Sequence, residues 1–339
     1  MSVAAEKKRV VWVDILKYVC MFFVFVSHVD ITPPPLLAFL SPFFLTAFFF
    51  VSGYTHNTKK SFGRMLVDKL KGILLPWAIY SFFCSVLLNC YLWGWPNFWL
   101  YLGRMFMQIR GQDDTLWFLA CLFVSYIPFY FVAKYLNKWH GLAVSLACAV
   151  ISIVSVRAFG NIVPWHVQSA GVVMFFLQSG LCFKDVEPFF DKCFYSKKWP
   201  VAVALLVYIG IVIFDLDLAI ININAYGRSM VEWFTVTVFS VMVAVGVAKL
   251  IPSNRFMLYI GRNTLLCFAF LAILFVSFNG LVADLGIAER LSYNTALLTL
   301  VSLTVAFLET AVMVPFAWVI NRFLPFTLGK GYAKKKKAE

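Results

Sequence analysis

Residues 11–29 read VWVDILKYVCMFFVFVSHV, and the reading of this stretch decides the fold. The run is apolar for about the 20 residues that a helix needs to cross the hydrocarbon of a bilayer. Yet it contains Asp14, Lys17 and His28. Ionisable groups at membrane depth are costly and by default mark function. At about 100° per residue the three fall within an arc of roughly 60°, so they share one face. Lys17 and His28 are three turns apart, which at 1.5 Å per residue puts about 16 Å between them along the axis. That geometry suits one extended ligand, held by its anionic part near Lys17 and presenting a reactive group at His28. A plainer account has Lys17 snorkelling to the surface, Asp14 pairing with it at i, i+3, and His28 hydrogen-bonded at an interface.

The same texture continues outward from this run. Of 339 residues, 62% are hydrophobic and 13% charged, against about 25% charged in a soluble domain, which excludes an ordinary globular protein. Further apolar runs near 36–54, 73–95, 115–132, 142–156, 163–182, 199–214, 230–248, 264–282 and 296–320 predict ten spans in all, with an interfacial segment at 97–107. One all-α polytopic domain over 1–339 is expected, with 328–339 a basic tail. The first run holds charges and lacks a small-residue cleavage site, so it is expected to stay as a helix. With the N-terminus inside, 23 of the 29 Lys and Arg fall on the cytoplasmic side and five on the other, while Lys17 lies within the first span. This asymmetry predicts both termini in the cytoplasm, and the run Lys334 to Lys337 is expected to hold anionic lipid. The net charge of +13 follows these loops and shows no aromatic and basic interleaving of a nucleic-acid module. The eight cysteines lie mostly within apolar runs, form no CxxC pair and read as packing residues. No internal repeat is visible, which counts against a transporter.

Other polar residues stand out for their placement. The second run ends in FFFVSGYTH, 48–56, where Gly53 permits a close backbone approach. The loop after it carries Lys59, Lys60, Arg64, Lys69 and Lys71, the last two immediately before LLPW, 74–77, at the mouth of the third span. A positive-inside loop accounts for these charges, and so would an anionic cofactor. Glu309 sits in the middle of the tenth span and is a candidate buried partner for His28, whose imidazole needs an orienting group that Asp14, about 21 Å away, cannot supply. Trp117 is a packing or interface aromatic or a substrate contact. Asn263 is a helix cap or a ligand. His56 and His140 read as loop residues, and His166, opening the sixth span, as a residue of an outer vestibule.

Taken in order, these elements resemble the acyltransferase 3 family of integral membrane acyltransferases, especially its fucose 4-O-acetylase-like branch. The resemblance rests on Asp14 and Lys17 followed by His28, on FFFVSGY (48–54), KLKGILLPW (69–77), TLWFL (115–119) and IGRNTL (260–265), a set spanning about three quarters of the chain. It implies transfer of an acyl group, usually acetyl from cytoplasmic acetyl-CoA, to a hydroxyl of a carbohydrate. It matches His28 to the family's essential histidine, Lys17 to its basic partner, and Lys69 and Lys71 to a basic pair facing CoA. One departure is visible: many relatives place a His near the position of Leu271. The expected site therefore has His28, Lys17 and Asp14 at the reaction, Lys69, Lys71 and Arg64 on the cofactor, and Trp117, Asn263 and Glu309 toward the substrate, without a metal. The expected acceptor is an exopolysaccharide, capsule, lipopolysaccharide or lipid-linked sugar, and the expected location the inner (plasma) membrane. The rival is a transporter or flippase in which Asp14, Lys17 and His28 form an ion or proton path.

Overall fold

The computed structural model describes residues 9–108, 116–214, 226 and 229–331, and every regular element among them is helical. The helices are α1 (Val11–Ser27), α2 (Pro34–Tyr54), α3 (Phe62–Trp93), α4 (Phe98–Met107), α5 (Trp117–Tyr135), α6 (Lys138–Phe159), α7 (Pro164–Tyr195), α8 (Lys198–Phe214), α9 (Met230–Leu250), α10 (Arg255–Arg262), α11 (Thr264–Asp284), α12 (Ile287–Arg290) and α13 (Thr295–Phe323). Eight of these are long and apolar enough to cross a membrane. With α1 and α8, 17 residues each, they coincide with the ten apolar runs. The protein is an all-α polytopic membrane bundle.

Local chemistry explains the boundaries. Pro34 opens α2, where a missing N–H costs nothing. Asn137 caps α6 by accepting from the Trp139 N–H at 3.0 Å, and Asn294 caps α13 through Ala296 and Leu297, both at 3.1 Å. Gly160, at φ 70°, ends α6. The third helix departs from expectation by starting at Phe62, inside the supposed loop 55–72. Its first turns read FGRMLVDK, an amphipathic segment that buries only Met65, and the helix continues through Gly72 into the apolar run that follows. His140 likewise lies within α6 rather than a loop, and His56, although outside a helix, is buried. Thr115 of the TLWFL motif and the Lys334 to Lys337 run lie outside the described residues.

The close approach read at Gly53 has a partner. A Cβ on Gly53 would lie 1.8 Å from the Leu177 carbonyl oxygen, and one on Gly180 would lie 1.9 Å from that of Phe50. Helices α2 and α7 therefore touch backbone to backbone, each contributing a glycine. Small residues are how membrane helices gain packing when lipid offers no hydrophobic driving force between them. A ring column fills the centre: Phe49 stacks on Phe118 at 4.6 Å, and Phe118 on Phe268 at 4.9 Å.

Charged side chains gather at one end. Lys71 and Gly329 meet there through their backbones. The Lys330 ammonium is pushed below its usual range by burial and then by nearby Arg9. The first and last described segments thus meet at the same end of the bundle.

Candidate functional site

The far end of α1 is built around a problem of valence. The last carbonyls of a helix have no intrahelical partner, and at membrane depth no bulk water stands in. The sequence SHVDIT, 27–32, supplies the missing groups. Ser27 Oγ donates to the Val24 carbonyl at 2.8 Å, the His28 N–H to that of Phe25 at 2.9 Å, and Thr32 Oγ1 to that of Val26 at 2.7 Å. His28 Nδ1 also lies 2.8 Å from the Val24 carbonyl oxygen. A carbonyl can only accept, so this contact calls for a proton on Nδ1, which in a neutral imidazole leaves the lone pair on Nε2.

The ring and its main chain are both held by α11. Phe275 lies against the imidazole at 5.9 Å between centroids. One turn on, Asn279 Nδ2 donates to the His28 carbonyl at 2.9 Å, and Asn279 Oδ1 accepts from the Asp30 N–H at 3.2 Å. Asn279 belongs to none of the motifs read from the sequence, although an amide inside an apolar run is itself a signal. Glu309, expected as the orienting partner of His28, makes no hydrogen bond to it; the Val24 carbonyl fills that place. The carboxyl is buried, with Oε2 unpartnered among the described residues. Phe316 meets Phe270, and Val305 clusters with Val29 and Val282, so α13 runs antiparallel to α11. That register brings Glu309 level with the stretch between Phe275 and Asn279, at the depth of His28. Loss of the double contact gives a direct expectation: Asn279→Ala should lower stability by about 1–3 kcal/mol, because the His28 carbonyl is left unpaired. A thermal midpoint in detergent equal to that of the unaltered protein would contradict it.

At the charged end, Asp14 does not pair with Lys17. Its Oδ2 accepts from Arg262 Nε at 3.0 Å, and a Cβ on Gly261 would come within 2.0 Å of its carbonyl oxygen. The GRN motif is thus the counterpart of Asp14, fixing α10 against α1. Asn263 occupies the cap position of α11, but its side chain makes no capping bond. Instead Nδ2 donates to the Tyr259 carbonyl and Oδ1 accepts from Asn321, both at 2.8 Å, and Asn321 Oδ1 accepts from Lys330 at 3.0 Å. Geometry prefers this because two helices converge there and must be joined. A second network was not legible in the sequence. Glu187 accepts from Trp12 Nε1 at 3.0 Å, Tyr54 Oη at 2.7 Å and Lys249 Nζ at 2.6 Å, and Lys249 also reaches Asp191 at 2.5 Å. It ties α1, α2, α7 and α9 together.

Lys17, released from Asp14, is half-buried and has no hydrogen bond or ion pair among the described residues; Asp14, Arg9 and Lys69 lie within its electrostatic reach. Lys69 sits 3.4 Å from the centre of the Tyr126 ring, whose hydroxyl donates to the Ser52 carbonyl at 3.0 Å. Both line a cleft of about 380 Å³ with Ser52, His56, Lys60 and Gly72. Lys60 is paired with Asp68 at its rim. Lys71 and Arg64 are exposed on the same stretch of α3. Trp117 is buried far from this cleft, its ring 5.7 Å from that of His166. The structure thus separates the expected residues into a cationic end, with Lys17, Lys69, Lys71 and Arg64, and a His28 end, with Glu309 at the same depth.

The described residues place an imidazole held by a helix-end carbonyl at one end and a cluster of cations at the other. No curated protein and no solved structure matches the chain. The model of the acyltransferase 3 family, described as an acyltransferase domain, matches residues 10–322, and the chain belongs to that family of membrane acyltransferases.

Proposed function

We propose that the protein is a membrane O-acetyltransferase of the fucose 4-O-acetylase-like kind. It takes acetyl groups from cytoplasmic acetyl-CoA and places them on a hydroxyl of a carbohydrate, such as a polysaccharide or lipid-linked sugar. The reading puts the charged end, with both termini, in the cytoplasm of a cell bounded by this inner membrane. The observation that carries it is the contact of His28 Nδ1 with the Val24 carbonyl, which in a neutral imidazole leaves Nε2 to take a proton or an acyl group.

As general base, Nε2 takes the proton of the acceptor hydroxyl. The oxygen attacks the thioester carbonyl carbon, the carbon–sulfur bond breaks, and the imidazolium returns its proton to the departing thiolate. As nucleophile, Nε2 itself attacks that carbon and the carbon–sulfur bond breaks to release the thiolate; the acceptor oxygen then takes the acetyl group from Nε2, and its proton goes to the thiolate. Lys17 stands about 16 Å toward the cytoplasm on the same face and would hold donor phosphate with Lys69, Lys71 and Arg64 around the Tyr126 cleft. Asp14 acts by holding Arg262 and α10. Trp117 and Glu309 remain acceptor-side residues in this proposal, Glu309 with the best claim by depth, whereas Asn263 is bonded at the charged end and is not one.

The test is incubation of purified protein with labelled acetyl-CoA and candidate glycans, followed by mass analysis; glycans that stay unlabelled while donor is bound would sink the acceptor class. The donor end has its own measurement. Replacing Lys69 and Lys71 together with Gln should weaken acetyl-CoA binding about tenfold or more, since a charged hydrogen bond contributes about 1.5–3 kcal/mol. Calorimetry should show the gap between variant and unaltered protein narrowing as salt rises, because salt screens exposed charges. An unchanged dissociation constant removes these lysines from the site.

A further inference from the structure

Three consecutive turns of α3 each bury a polar atom for which no hydrogen-bond partner stands among the described residues: Trp77 Nε1, Ser81 Oγ and Ser85 Oγ. The residues are 3%, 0% and 6% exposed. Spaced by four, they lie on one face, about 12 Å from first to last. A buried helical serine can satisfy itself through the carbonyl four residues back, as Ser41 and Ser125 do, although Ser145 and Ser302 also lack a partner among the described residues. Ser81 and Ser85 forgo that bond. The segment around them is irregular as well, with π-helical turns at Leu70–Leu74 and Phe82–Leu87. Such turns are rare and gather at functional sites.

The face is interior. Cys84 Sγ donates to the Ala269 carbonyl of α11 at 3.0 Å, and the Trp77 ring lies 5.0 Å from Trp165 of α7. Gln108, one residue beyond the helix that packs on Phe82–Leu87, adds a fourth buried atom without a partner among the described residues, Oε1. The row begins two turns past Lys69 on the same helix. Its chemistry is neutral: serine hydroxyls donate and accept, and an indole donates.

We propose that this face of α3 is the track for the uncharged, amide-bearing arm of the acyl donor, a pantetheine-like chain running inward from phosphates held at the Lys69 cleft. The inference rests on the thioester-donor reading of the proposed function. A single-file row that continues from the cations fits a chain with polar groups at intervals, whereas a sugar ring would call for a broad patch.

The test uses the full-length protein in nanodiscs and the triple variant Trp77→Phe, Ser81→Ala, Ser85→Ala, which keeps shape and removes the polar atoms. Calorimetry with coenzyme A should show the dissociation constant rising at least about tenfold, from three lost hydrogen bonds. The nucleotide bisphosphate alone, which lacks the arm, should bind as tightly as before. The ligand-free variant should melt at the same temperature or higher, because unpaired buried groups have been removed. An unchanged affinity for coenzyme A means that the row holds water only, and the proposal is overturned. Equal loss for coenzyme A and nucleotide would assign the effect to the fold and overturn the proposal as well. If unaltered protein binds neither ligand, the donor reading falls first and this proposal with it.

Discussion

His28→Ala should lower acetyl transfer by roughly 10² to 10⁴ fold while leaving the protein folded, the range that loss of a positioned acid or base produces. The fold should survive because the end of α1 does not depend on the imidazole alone. Ser27 Oγ still serves the Val24 carbonyl, Thr32 serves that of Val26, and Asn279 holds the main chain of residues 28 and 30. The chemistry should not survive, because no other described group at this end presents a lone-pair nitrogen fixed by its partner. Lys17→Ala should differ in kind: it should raise the donor concentration needed for half-maximal rate more than it lowers the maximal rate. The two chemical routes also separate here. Unaltered protein given labelled acetyl-CoA without acceptor retains label if Nε2 is acylated, and His28→Ala does not. Transfer at an undiminished rate by His28→Ala would remove the residue from the reaction.

The second large effect concerns the crossing of α2 and α7. Gly53→Ala or Gly180→Ala puts a methyl carbon into space already held by backbone, 1.8 Å from the Leu177 oxygen or 1.9 Å from that of Phe50. Backbone cannot swing aside as a flexible side chain can, so the helices must separate along their contact. Overpacking ordinarily costs about 1–3 kcal/mol, and a clash with rigid main chain should exceed that range. The cost spreads to the start of α1, because Tyr54 and Glu187, on these same two helices, hold Trp12 there. Thermal unfolding followed by size exclusion should show a midpoint several degrees lower and loss of the monodisperse peak, more severe for Gly180→Leu. Gly210→Ala is the control, since a Cβ there meets nothing within 4 Å and alanine favours a helix. Equal midpoints for Gly53→Ala and Gly210→Ala would contradict the crossing.

The sequence by itself determined the class of fold and most of its elements, for a reason peculiar to membranes. A backbone in hydrocarbon must satisfy its own hydrogen bonds, so an apolar run of sufficient length has only the helix open to it, whatever its neighbours do. The ten runs therefore coincide with helices, and the two boundaries that moved furthest, the start of α3 at Phe62 and the end of α7 at Tyr195, lie in stretches carrying charges, where that rule does not bind. Periodicity within one helix likewise placed Asp14, Lys17 and His28 on a common face, and a glycine among phenylalanines announced a close approach. What only the tertiary structure decided is who meets whom. Asp14 left Lys17 for Arg262, 248 residues away, because α10 brings a guanidinium to it. His28 took its orientation from a carbonyl four residues back and from Asn279, 251 residues on, rather than from Glu309. Such pairings depend on the order in which helices are laid against one another, and packing of apolar faces sets that order without leaving a periodic trace in the chain.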